Sequence, residues 1–137
     1  MKKLHLQGWV CWDDDHNISL KTDKPYRESI QECVTDFLDN KEYYDDGCLG
    51  AERSVIPDVS LKIYATDQKC SLDDAMGSVV ANLYGEVCSD IGYVGYSEYT
   101  ITGFYCKEFT IGGHDLTNEL AGYIGKYIHF VFEVKDD

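Results

Sequence analysis

The stretch Tyr127-Ile128-His129-Phe130-Val131-Phe132-Glu133-Val134 decides the fold class. Ile128, Phe130, Phe132 and Val134 recur at every second position, the period of a strand, and the residues between them are also largely apolar. A strand that is apolar on both faces belongs in the middle of a sheet. Just before it, His114-Asp115-Leu116 predicts a short third helix, with Leu116, Leu120 and Ile124 in line and Gly125 at its end. Further back, Glu98-Tyr99-Thr100-Ile101 and Glu108-Phe109-Thr110-Ile111 repeat at a spacing of ten. This echo predicts two similar strands folded on one another, with Gly103 near the turn.

The N-terminal half reads in the same way. Leu4, Leu6, Gly8, Val10 and Trp12 alternate as a strand, the Asp13–Asn17 cluster is turn chemistry, and Ile18 to Leu20 resume the alternation, so the chain opens with a hairpin. Asp23-Lys24-Pro25 is a helix entry, and Tyr26, Ile30, Cys33, Val34, Phe37 and Leu38 form one apolar stripe from Tyr26 to Asn40. The opposite face holds Glu28, Glu32, Asp36 and Asp39. Lys41 to Pro57 has no sustained period and reads as a long connection. Val59, Leu61 and Ile63 predict another strand. Leu72, Ala75, Met76, Val79, Val80, Leu83 and Tyr84 predict a second helix, opened near Ser71 and stopped by Gly85. The 137 residues fit a single domain of α+β class, spanning 1–137. Its sheet is expected to be mixed or mostly antiparallel, with about five to six strands packed by two to three helices.

Lys and Arg number 12 against 25 Asp and Glu, a net charge of -13. Direct binding to nucleic acid is excluded on that balance, because such affinity comes from cations that displace phosphate counterions. No run reaches the roughly 18 apolar residues of a membrane helix. The start, Met1-Lys2-Lys3 followed by His5, Gln7 and Asp13-Asp14-Asp15, lacks the core of a signal peptide. The expected setting is therefore the cytoplasm.

The six cysteines, Cys11, Cys33, Cys48, Cys70, Cys88 and Cys106, include no pair closer than fifteen residues. Structural zinc usually needs a closer pair, so they read as reduced thiols that pack as small hydrophobes. Asp13, Asp15 and Asn17 match the first ligands of a calcium loop, but Ile18 and Lys24 stand where glycine and glutamate are required. His5 and His129 lie on strands without a third ligand. No cofactor or metal is expected.

The acidic segment Asp36 to Glu52 carries the main functional signal. Asp36, Asp39, Glu42, Asp45, Asp46 and Glu52 stand against Lys41, a balance of -5 over seventeen residues. Tyr43 and Tyr44 are interleaved with them. Aromatic anchors beside carboxylates suit a surface that binds a basic protein. Tyr93, Tyr96 and Tyr99 form a second candidate patch, in a chain with 11 tyrosines. An alternative is a small enzyme or ligand-binding module with a pocket near His114, Asp115 and Cys106, in which the thiol would need a neighbouring base. Self-association through a sheet edge is a third expectation.

Gly8-Trp9-Val10 through Asp13-Asp14-Asp15 to Lys24-Pro25-Tyr26-Arg27 resembles the opening of many small uncharacterised proteins of bacteriophages and other bacterial mobile elements. Leu120 through Gly125-Lys126-Tyr127 is similar to their close. The resemblance implies a setting in which small acidic proteins inhibit host nucleases, as anti-restriction and anti-CRISPR proteins do. With the charge, it sets the expectation of an inhibitor of a basic, nucleic-acid-handling partner: a host-defence nuclease, or a nuclease toxin with this chain as its immunity protein.

Overall fold

The computed structural model describes residues 2–95 and 100–135. Strands β1 (Lys2–Trp12) and β2 (Ile18–Lys21) form the expected N-terminal hairpin, followed by a two-residue β3 (Glu28–Ser29) and helix α1 (Ile30–Leu38). Then come β4 (Glu42–Tyr44), β5 (Ala51–Thr66), α2 (Leu72–Ala75), β6 (Val79–Val94), β7 (Gly103–Ile111), β8 (His114–Asp115), α3 (Leu116–Ala121) and β9 (Tyr127–Val134). The strands form one sheet in the order β3-β2-β1-β9-β5-β6-β7-β8, with β4 on the free side of β5. Every pairing is antiparallel.

As its sequence predicts, β9 is central, pairing with β1 on one side and β5 on the other. Phe130 and Phe132 have no exposed surface, and full burial of such a side chain contributes roughly 1.5–3 kcal/mol. The core face gathers these two with Leu61, Ile63, Val34 and Leu120. The sheet coils around this core so that its ends approach: Asn17 Nδ2 of the first hairpin donates to the Phe104 carbonyl at 3.1 Å. Helix α3 packs on β7, β1 and β2, bridging the two ends.

Three expectations need correction. The sheet has nine strands among the described residues rather than five to six. Lys41 to Pro57, read as a connection, contributes β4 and the first half of β5; Pro57 lies at a register shift between Ile56 and Val59, where the ladder does not require its missing N–H. The helix expected from Leu72 to Tyr84 stops at Ala75. Gly77-Ser78 breaks it, and Val79 onward joins β5 as a long strand. Met76 and Val79, counted in the apolar stripe, are 54% and 51% exposed. Gly85 is a strand residue opposite Val59, with φ +144° and room only for a hydrogen where Gly112 approaches.

Two smaller shifts concern helix ends and the repeat. Helix α1 starts at Ile30 rather than near Tyr26. Ser29 is the N-cap, accepting from the Glu32 amide, and Ser29-x-x-Glu32 is a capping-box pattern. In the repeat, β7 pairs with residues 87–94 of β6, and Gly103 begins β7 instead of marking the turn. The tight turn is at Gly112-Gly113, both with positive φ, between β7 and β8.

The second face of the sheet is thinner. Helix α2 covers Tyr64 and Val131. Beside them His129, wholly buried, has Nε2 2.8 Å from the Cys70 carbonyl and Nδ1 2.8 Å from Nε2 of His5. The carbonyl can only accept, so His129 donates from Nε2 and receives the His5 N–H at Nδ1. Tyr127 packs edge-on against His129, and Trp9 edge-on against Tyr127. No helix among the described residues is long and apolar enough to cross a membrane.

Candidate functional site

Helix α1 turns Ile30, Val34 and Leu38 into the core and leaves Glu32 and Asp36 outside. Glu32 complements the positive end of the helix, but Asp36 and Asp39 lie at the negative end, and the last turn of the helix carries no basic residue. Asp39 caps that end in the left-handed conformation at φ 51°, its amide donating to the Thr35 carbonyl. Glu32 and Asp36 are also a like-charged i,i+4 pair, a spacing that costs a few tenths of a kcal/mol. Helix stability therefore does not account for these carboxylates.

Lys41 folds back among them, its Nζ 2.8 Å from Asp36 and 3.9 Å from Glu52. Glu32, Asp36, Glu52 and Tyr93 line a cleft of about 100 Å³ around it. Burial, then the charge of Asp36, raises the Glu32 carboxyl above its ordinary value, with Lys41 opposing. Tyr93 is pushed up to about 12 by burial and by its hydrogen bond to Glu52. Asp13, in the β1–β2 turn, adds the smallest share of the upward push on Glu32. Three expected residues from two separate segments, Asp36, Glu52 and Tyr93, thus meet. Glu32 belongs with them and lies outside the expected set; the 32, 36 spacing on a helix is the signal that could have found it.

Tyr44 and Asp46 go elsewhere. The Tyr44 hydroxyl donates to Asp90 at 2.7 Å, and Arg53 donates to the same carboxylate at 2.9 Å. Arg53 and Lys107 both stand over the Tyr44 ring, 5.8 and 5.4 Å from its centre. Asp46 accepts from the Cys48 and Gly50 amides and from Lys107 Nζ at 3.1 Å, and its side chain is 4% exposed. The Lys107 hydrogen bond, with the Cys48 amide next, holds the Asp46 carboxyl below its usual range. Both, expected on the partner-binding surface, are engaged by residues of the chain's own fold.

Beneath this network β7 carries one extra residue, Lys107, at a bulge opposite Asp90 and Ile91. Gln31 of α1 reaches the bulge from the core side. Its Nε2 stands 2.9 Å from the Glu108 carbonyl, 3.4 Å from the Asp90 carbonyl and 3.1 Å from Ser89 Oγ. Helix α1 and the Tyr44–Asp90 cluster are thereby fixed to the same strand segment.

Of the remaining candidates, Tyr43 is 68% exposed, and Asp39, Glu42 and Asp45 are exposed with it. Tyr96 and Tyr99 lie outside the described residues. Cys106 and Asp115 both border a groove of about 540 Å³. His114 is not among its lining residues and pairs with Glu119 at 2.9 Å. Cys106 Sγ faces Thr117 Oγ1 at 3.6 Å, burial pushes the thiol up, and Asp115 caps α3. These three side chains form no nucleophile–base pair.

All six cysteines are free; Cys48 is exposed and the others are half-buried rather than fully packed. Burial raises Cys33 and Cys88 to about 11. No group of three His, Cys, Asp or Glu among the described residues could hold a metal ion. Comparison of the chain with protein-family models, curated proteins and solved structures finds no match.

Proposed function

We propose that the chain is an acidic protein-binding inhibitor that blocks a basic, nucleic-acid-handling partner, such as a host-defence nuclease or a nuclease toxin, in a bacterial or infected bacterial cell. The observation that carries this reading is the exposed carboxylate run Glu32, Asp36, Asp39, Glu42 and Asp45 beside the exposed ring of Tyr43. The carboxylates substitute for phosphates in the partner's positive groove and accelerate encounter, while Tyr43 supplies rigid contact area. Tyr44 and Asp46 support the surface from within by holding β4 and the following turn.

Calorimetric titration against purified basic nucleases, with a nucleic-acid competitor, tests the proposal. The expected result is a complex that weakens steeply with salt and excludes the nuclease's own substrate. A complex that tolerates bound substrate, or no complex with any basic nuclease at low salt, overturns it.

A further inference from the structure

Trp9, Tyr127, His129 and His5 form a continuous aromatic row on the sheet face opposite α1. Successive ring centres lie 5.3, 5.5 and 5.1 Å apart. The row alternates along β1 and β9 with core residues such as Leu6 and Phe130, so its side chains leave the core. Helix α2 and the segment before it cover Tyr64, Val131 and His129, and Tyr127 is buried as well, so Trp9 and His5 are the open members of the row. Trp9, His5 and Tyr127 border an open groove of about 890 Å³, within the range of roughly 300–1,000 Å³ typical of small-molecule sites.

The lining of this groove holds three lysines against two carboxylates, Asp23 and Glu28, the reverse of the balance in the whole chain. Lys21, at the end of β2, Lys24, from the segment after it, and Lys69, from the β5–α2 connection, converge on it. Lys24 is paired with Glu28 and Lys69 with Asp23 at 3.6 Å, while Lys21 enters no ion pair among the described residues. The site therefore keeps one ammonium outside any ion pair among the described residues, beside the half-buried Trp9 ring, in a chain of net charge -13. Gly8 makes the wall possible: a Cβ there would stand 2.8 Å from the Lys21 carbonyl, too close for that segment to cross β1. The Tyr127 hydroxyl, 3.4 Å from Gln7 Oε1, helps hold the floor in place.

We propose that this groove binds a nucleoside monophosphate, its base stacked on the Trp9 indole and its phosphate held by Lys21 and Lys69. Stacking on an aromatic face accepts any base, and one phosphate needs only the local cations, so the negative charge of the molecule as a whole does not forbid it. The site is separate from the acidic face and does not depend on its role.

Titration with AMP, followed by tryptophan emission and by calorimetry, tests the inference. Emission should quench with a dissociation constant below about 1 mM. Trp12→Phe should keep the quench and Trp9→Ala should lose it. Lys21→Ala and Lys69→Ala, both at exposed positions, should keep the circular dichroism of the fold and weaken AMP about tenfold or more, as loss of a charge-assisted hydrogen bond does. Adenosine and inorganic phosphate should each bind more weakly than AMP. The inference is overturned if AMP gives neither quench nor heat, if the lysine variants bind it like the wild type, or if inorganic phosphate alone binds as tightly.

Discussion

His5 and His129 show how one hydrogen-bond chain makes stability depend on pH. The His5 imidazole is held below its ordinary value by burial first, then by His129 and Lys3. The unfolded chain takes up a proton near pH ~6.5 that the folded chain resists, so the unfolded state gains as acid is added. Stability is complete above that range and falls as the pH drops through it. Thermal unfolding between about pH 7 and pH 5 should show this decline. His5→Gln, whose amide can still donate to His129 Nδ1, should flatten it, and an unchanged slope would remove His5 as the cause. A second contrast at this scale separates neighbouring aspartates. Asp45→Asn should alter stability by less than about 0.5 kcal/mol, as exposed substitutions usually do. Asp46→Asn should lower the melting temperature, because it removes the charge that Lys107 faces. Equal melting temperatures for the two variants would contradict the geometry.

At the scale of elements, helix α1 and the β6–β7 bulge are one unit joined by Gln31. Gln31→Leu should fit the space but leave the Asp90 and Glu108 carbonyls short of a donor, costing about 1–3 kcal/mol in chemical denaturation. A neutral result would mean that another group takes over the bulge. This coupling also marks where the sequence stops being readable. β1, β2 and β9 were legible because apolar alternation continues until turn chemistry interrupts it. Residues 72–84 were not, because their apolar spacing fits a helix as well as it fits the strand that β5 imposes; the pairing partner, not local propensity, chose between them. The acidic character of the 36–52 segment was legible from composition. The fates of Tyr44 and Asp46 were not, since Asp90 and Lys107, which engage them, are 46 and 61 residues away in sequence.

For the whole molecule, charge and contact area should separate in the proposed complex. Neutralising Asp36, Asp39, Glu42 and Asp45 together should slow association with a basic nuclease and flatten its salt dependence, leaving dissociation nearly unchanged. Tyr43→Ala should do the reverse, speeding dissociation and costing on the order of 2 kcal/mol in affinity. Stopped-flow binding distinguishes the two. Should both variants bind as the wild type does, the interface lies elsewhere. The position of β9 has its own consequence for how the molecule comes into being. It sits between β1 and β5 although the ribosome makes it after both, and His5 and His129, whose side chains are hydrogen-bonded across that pairing, are 124 positions apart. Until it emerges, β1 and β5 have no strand to join them and their apolar faces stay open to other chains. Folding should be slow for so small a protein, because long-range pairing requires closing large loops before any contact repays them. A nascent chain stalled before Tyr127 would be a substrate for chaperones and proteases rather than a partly folded protein.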